Sequence, residues 1–491
     1  MTTKKKSAAK KKSAVKKPVA KKAAKKTAAK KAPAKKKAAK KAPAKKAPAK
    51  KPAKAPAKPG MPPPAGTNTI ASGTPNSTIV TTGNTPVSAF AFANPSTTTD
   101  NYADFTQADV FADSSAVASQ DLQPVPEPWK TPSVLALSDV LGAAAVAQIT
   151  AAGSITFHSV GDTGGIHDPS KQFAVADAMA NDLTGKTYAT GRPAFFFHLG
   201  DVVYYLGQEP YYYEQFYDPY RNYDAPIIAI PGNHDGMVSP TVKQSTLQGF
   251  TENFCTQTPS KNPEAQGFAR TTMIQPGVYF TLNAPFVDFI GLYSNISEGA
   301  TQGVISGGVV GTAQLTFLQQ QLAAIAAARK TGPRKALLIA VHHPPFTGSE
   351  DHAPSPDMLV QIDAACTAAG IQPDMVLSGH AHLYERFTRT VGGAQIPFLV
   401  AGMGGYWNLS GMKKDSNQQP PQTPFTGTDA SGNKLVLETY NSTTFGYLEL
   451  TVSAASVVCT FYGVTPGAGG QAGAVAVADK FTLDLGTHTV S

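Results

Sequence analysis

Residues 195–207 read FFFHLGDVVYYLG, and residues 225–236 read APIIAIPGNHDG. Each is an apolar run that stops at a glycine followed by residue types that bind metal ions. Phe195, Phe196, Phe197 and Leu199 predict a buried strand that ends at Gly200-Asp201. Ile227, Ile228 and Ile230 predict another, ending at Gly232-Asn233-His234-Asp235. Short apolar runs bounded by Gly or Pro suit strands covered on both faces. In open α/β sheets ligands bind beyond the carboxyl ends of the strands. Two such ends, each with a metal-binding side chain, predict one shared site.

Three further runs repeat the pattern. Ser154 to Val160 (SITFHSV) leads into Gly161-Asp162-Thr163-Gly164, and Ala336 to Val341 (ALLIAV) into His342-His343-Pro344. Met375 to Leu377 leads into Ser378-Gly379-His380-Ala381-His382. A single Gly-Asp at a strand end is more often a turn. Five runs ending in Asp, Asn or His point to a metal centre.

In order, GDTG, GDVVY, GNHD, His-x-Pro and GHAH resemble the motifs of calcineurin-like metallophosphoesterases, over about Ser154 to Ala401. Two details resemble the purple acid phosphatase branch. Gly164 stands where most other branches place a His, and Tyr204 lies three residues after Asp201. The resemblance implies an α/β fold, a four-layer αββα sandwich of two mixed sheets. It also implies two metal ions, Fe(III) with Fe(II), Zn or Mn. Asp162, Tyr204 and His382 would complete the first site, and Asn233, His342 and His380 the second. Asp201 would bridge the two, because a carboxylate can span both ions. His342 rather than His343 aligns as the ligand, two before Pro344, leaving His343 as pocket lining or a bystander. His234 would meet the phosphate, with Asp235 orienting its ring. His352, ten residues after His342, is a candidate general acid.

The implied reaction is in-line attack on a phosphate ester by metal-bound hydroxide, as in an acid phosphatase acting on monoesters. The same centre would serve a phosphodiesterase acting on nucleotides or lipid head groups. A third reading, from another class, is a nucleic-acid- or polyanion-binding protein.

That third reading comes from the N-terminus. Residues 1–59 hold 25 Lys and no acidic residue. Set against the overall +10, this leaves about −15 for the remaining chain. A segment of Lys, Ala and Pro without aromatics buries too little apolar surface to offset ordering entropy, so a disordered basic tail is predicted. It resembles linker-histone and bacterial histone-like tails. Such a tail neutralises phosphates of nucleic acid or polyphosphate, or simply solubilises the chain. MTTKKK lacks the apolar core of a secretory signal, and no stretch is long and apolar enough to span a bilayer. The three cysteines, Cys255, Cys366 and Cys459, show no disulfide spacing. Together these predict a cytoplasmic protein.

Residues 60–131 read as a linker, an extended arm or a small β module, with Ser77 to Thr82 and Val87 to Phe92 as possible short strands. The catalytic domain is expected over residues 132–491. One helix or two is expected between Ser133 and Ala151, and others over Gln172–Asn181, Ala313–Lys330 and Asp357–Ala369. His158, His198 and the Tyr-rich insert 210–224 are read as mainly structural. Arg386 is read as paired with a nearby acid.

Overall fold

The structure is a computed structural model that describes residues 124–237, 244–296 and 303–491. The Lys-rich segment 1–59 and the short strands expected before residue 93 lie outside the described residues.

Two mixed sheets face each other. One has seven strands, and its parallel part aligns Ser154–Val160, Pro193–His198 and Ile227–Ala229. It continues antiparallel through Phe445–Ser453, Ser456–Pro466, Ala472–Asp484 and Thr489–Val490. The other has nine strands. Its parallel centre joins Val287–Gly291, Ala336–Ala340, Met375–Ser378 and Ala394–Ala401. Parallel neighbours bring their carboxyl ends to the same edge, which sets the site at that edge.

Alternation along the strands divides the core. Phe157 and Phe197 face the second sheet, where the Phe197 ring stacks on Phe289 at 4.0 Å and Phe157 meets Phe289 edge-on at 5.9 Å. Each fully buried aromatic contributes roughly 1.5–3 kcal/mol. Phe196 and His158 point to the opposite face, against Tyr220 and Tyr223. The Tyr-rich insert therefore packs: Tyr212, Tyr217, Tyr220 and Tyr223 are all buried.

Helices close both outer faces. Ser170–Asp182 lies on the antiparallel strands of the seven-stranded sheet. Ala313–Thr331, with Leu318, Leu322 and Ile325 buried on one stripe, packs on Val287–Gly291 and on the helix Pro356–Ala369. The result is the four-layer αββα arrangement.

The region 133–151 holds two short helices, as expected, but a strand precedes them. Val134–Ala136 is an edge strand beside Phe280–Ala284, and the helices Leu137–Leu141 and Ala143–Ala152 follow. Gly142, at φ 82°, separates them, because that backbone cannot continue a right-handed helix. Among the described residues, no helix is long and apolar enough to cross a membrane. The three cysteines are free.

Candidate metal centre

Asp162, Asp201, Asn233, His342 and His380 each follow a strand end by two to four residues. Two features pull their side chains together. Three of them adopt left-handed backbone, with φ of 57° at Asp162, 53° at Asp201 and 68° at His380. Such conformations cost on the order of 1 kcal/mol each for a residue with a Cβ and recur at functional sites. The neighbouring glycines also leave room. A Cβ on Gly200 would lie 2.7 Å from both the Gly232 nitrogen and His342 Nδ1. One on Gly379 would lie 2.5 Å from Asp162 Oδ2. The loops interlock too closely for any larger residue.

The donor atoms form two linked groups. In the first, the Tyr204 hydroxyl lies 3.1 Å from Asp162 Oδ1 and 3.3 Å from His382 Nε2, and His382 Nε2 is 3.5 Å from that same carboxylate oxygen. In the second, Asp201, His342 and His380 each offer a ligand atom within 4.8 Å of the others. His342 Nε2 lies 3.2 Å from Asp201 Oδ2 and 4.0 Å from Asp162 Oδ1, which joins the groups.

Backbone groups fix the orientation. The His380 N–H donates to Asp162 Oδ2 at 2.7 Å, and the His234 N–H to Asp201 Oδ1 at 2.9 Å. His342 Nδ1–H donates to the Leu199 carbonyl at 2.8 Å, which leaves Nε2 facing the carboxylates.

The residues fit metal ions. Asn233 Oδ1 is buried and has no hydrogen-bond partner among the described residues, and the buried His342 Nε2 faces only the carboxylates, at 3.2 Å from Asp201 Oδ2. A buried polar atom without a partner costs about 1–3 kcal/mol, and a cation removes that cost. Among the described residues, neither Asp162 nor Asp201 has a Lys or Arg partner. The electrostatics agree. Burial works against charge on His342, yet the carboxylates of Asp201 and Asp162 lift its pKa to about 9. A proton there occupies the place of a cation. Burial and the same two carboxylates push the Tyr204 phenol well above its usual range.

The other expected residues sort as follows. His352 sits between the rings of His380, at 4.6 Å, and His382, at 5.0 Å, with Nδ1 3.3 Å from Ser410 Oγ. Burial and the neighbouring His382 lower its pKa to about 3. His343 packs on His380 at 4.1 Å and bonds Ser294 Oγ at 3.0 Å, so it backs a ligand. His234 bonds the Tyr205 carbonyl through Nδ1 at 2.7 Å. Asp235 does not orient the His234 ring. Its carboxylate accepts the backbone N–H groups of Gly232, Val202 and Val203, tying together the two loops that carry Asp201 and Asn233.

His198 bonds Thr163, and His158 bonds Tyr223 and Asp182. Arg386 pairs with Asp479 through two hydrogen bonds. Tyr406 was not anticipated. Its ring lies 4.4 Å from Tyr204 and 4.2 Å from His382. The only signal in sequence was an aromatic pair, Tyr406-Trp407, in a Gly-rich loop.

The calcineurin-like phosphoesterase family model matches residues 155–384, the span that holds every donor above. The chain carries a calcineurin-like phosphoesterase domain. A comparison with curated proteins found no match in sequence. Among solved structures, the chain is similar to purple acid phosphatase PPD1 from yellow lupin (Lupinus luteus) seeds, at 15% identity and TM-score 0.44, over 67% of this chain and 53% of that one. It is also similar to GAP50, the anchor in the inner membrane complex of Plasmodium, at 14% identity and TM-score 0.43, over 66% of this chain and 88% of that one. A third is PhoD, at 13% and 0.39, over 69% and 71%. The chain thus spans about half the length of the lupin protein.

Proposed function

We propose that the phosphoesterase domain hydrolyses phosphate monoesters at a binuclear centre. Asp162, Tyr204 and His382 would hold one ion, Asn233, His342 and His380 the other, and Asp201 would be shared. The observation that supports this most is the buried Asn233 Oδ1, unpartnered among the described residues, together with two carboxylates that face His342 Nε2 and have no Lys or Arg partner among those residues. Ions bound there would polarise the phosphoryl group and acidify a water.

The chain's own residues supply the rest. His234, anchored through Nδ1 to the Tyr205 carbonyl, keeps Nε2 for a phosphate oxygen. His352 enters the site as a neutral imidazole and takes up a proton when a phosphate dianion lies against it. From there it delivers that proton to the leaving oxygen. His343 stiffens His380 from behind.

The phenol of Tyr204 supports a trivalent ion in the first site. Two nearby carboxylates oppose its ionisation, so a highly charged cation is needed to hold it as phenolate. The pair is then Fe(III) with Fe(II), Zn or Mn. Elemental analysis together with hydrolysis of p-nitrophenyl phosphate and its bis ester tests the whole reading. Turnover of the bis ester alone would move the assignment to a phosphodiesterase. A colourless protein holding only Mn or Zn would remove the purple-branch assignment and leave the hydrolase intact.

The Lys-rich segment 1–59 is proposed to act separately, holding the enzyme near polyanions in a reducing, cytoplasmic setting that suits three free cysteines. Deleting it should abolish salt-sensitive binding to nucleic acid or polyphosphate and spare ester hydrolysis.

A further inference from the structure

We infer that His167, Tyr205, Tyr406 and Trp407 form an aromatic wall that receives a planar aromatic leaving group, aryl or nucleoside, beside the metal centre. The inference rests on the phosphoesterase reading above and names the substrate class for that site.

The wall begins at the donor groups and runs outward. Tyr406 touches His382 and Tyr204, with centroids 4.2 and 4.4 Å away. Tyr205 lies 6.1 Å from His234 and 6.4 Å from Tyr406. Trp407 follows Tyr406 at 6.1 Å. His167 joins the outer end, with its ring 5.3 Å from Trp407 and its Nε2 3.3 Å from the Tyr205 hydroxyl. Three separate loops contribute these four rings.

Their placement is tied to the ligands by the main chain. The Tyr406 N–H donates to the Asp162 carbonyl at 2.9 Å, Gly404 N–H to the Gly161 carbonyl at 3.1 Å, and Ser410 N–H to the His382 carbonyl at 2.9 Å. The loop that carries Tyr406 and Trp407 is therefore set against two ligand loops.

Core packing does not account for the group. The buried aromatics of this domain, Tyr212, Tyr217, Tyr220 and Tyr223, are at most 1% exposed. By contrast, Tyr205, Tyr406 and Trp407 are half-buried and His167 is exposed. Partly exposed aromatic rings beside a reactive centre can give a planar ring a stacking partner. A glycerol or alkyl leaving group gains little there.

The test uses the metal-loaded full chain. Trp407→Ala should lower the ratio of kcat/KM for phenyl phosphate, or for adenosine 5′-monophosphate, to that for glycerol phosphate by about five- to tenfold. Trp407→Phe should restore most of that ratio. A selective loss on phenyl phosphate assigns the wall to aryl esters, and one on the nucleotide assigns it to nucleosides. Equal losses on all three esters overturn the inference. A second measurement does not depend on turnover. Trp129→Phe leaves Trp407 as the sole indole of the chain's 2 tryptophans, and phenylphosphonate should change its fluorescence saturably where methylphosphonate does not. Identical responses to both phosphonates overturn the wall even in an active enzyme. A wild-type protein that hydrolyses no ester overturns the phosphatase reading instead.

Discussion

The domain contains two clusters of histidine and carboxylate that look alike on paper. One is Asp201, His342 and His380 at the strand ends, and the other is His158, Asp182 and Glu449 on the outer face of the seven-stranded sheet. In both, ligand atoms of three side chains lie within 4.8 Å of one another. The second cluster already has a basic partner. Lys186 Nζ sits 2.6 Å from Asp182 and 3.6 Å from Glu449. Both nitrogens of His158 are used: the Tyr223 hydroxyl donates to Nδ1, and Nε2–H donates to Asp182. Burial lowers the pKa of that imidazole, against the pull of Asp182. The first cluster has no lysine or arginine partner among the described residues and leaves buried atoms unbonded. What separates a metal centre from an ion-pair network is unpaired negative charge, more than proximity of ligand types.

The largest expected effect breaks the first cluster. Asp201→Asn should lose metal and lower kcat by more than about 10³-fold, since changes to groups behind a ligand alone cost about 10–100-fold. Unchanged turnover with full metal content would end the assignment. His352→Ala should come next, lowering kcat by about 100-fold while metal content stays at the wild-type level. A loss of metal instead would make His352 a ligand.

Smaller effects belong to the second cluster, and they should appear in stability alone. His158→Ala should cost about 2 kcal/mol in denaturant unfolding, by stranding the Tyr223 hydroxyl and Asp182, with metal stoichiometry unchanged. A fall in bound metal would erase the distinction drawn here. Glu449 gives the smallest effect and a pH signature. Burial, then the charge of Asp182, raises its pKa to about 7. A carboxyl raised above its unfolded value stabilises the fold fully below about pH 4.5, and that contribution is lost as pH rises through 7. Glu449→Gln should therefore raise stability at pH 8 by about 1 kcal/mol, after allowance for screening by Lys186 and solvent, and have little effect at pH 4. An equal gain at both pH values would show that the group does not titrate in this range.

The strands and donors of the centre could be read from local pattern, because each motif packs its information into a few consecutive residues. An apolar run needs only its own side chains to become a buried strand, and Gly-Asp, Gly-Asn and Gly-His need only the absent Cβ to let a side chain turn into the cleft. The helices over Ser170–Asp182 and Ala313–Thr331 were legible for a similar reason, through their apolar stripes. The strand Ala472–Asp484 was not, since its Ala, Gly and Val carry little patterning and much of it is exposed.

Other features exist only in three dimensions. Asp235 looked like a partner for the adjacent His234, but loops from two strands close around it and supply N–H donors. Tyr406 lies more than 200 residues along the chain from Tyr204, and nothing local announces that their rings meet. Both clusters contain similar residues, and only the fold decides that Lys186 reaches one of them and that no Lys or Arg among the described residues reaches the other. Chain chemistry chose which atoms can bind a cation. Long-range packing chose where negative charge is left unbalanced, because that depends on every group brought within a few ångströms.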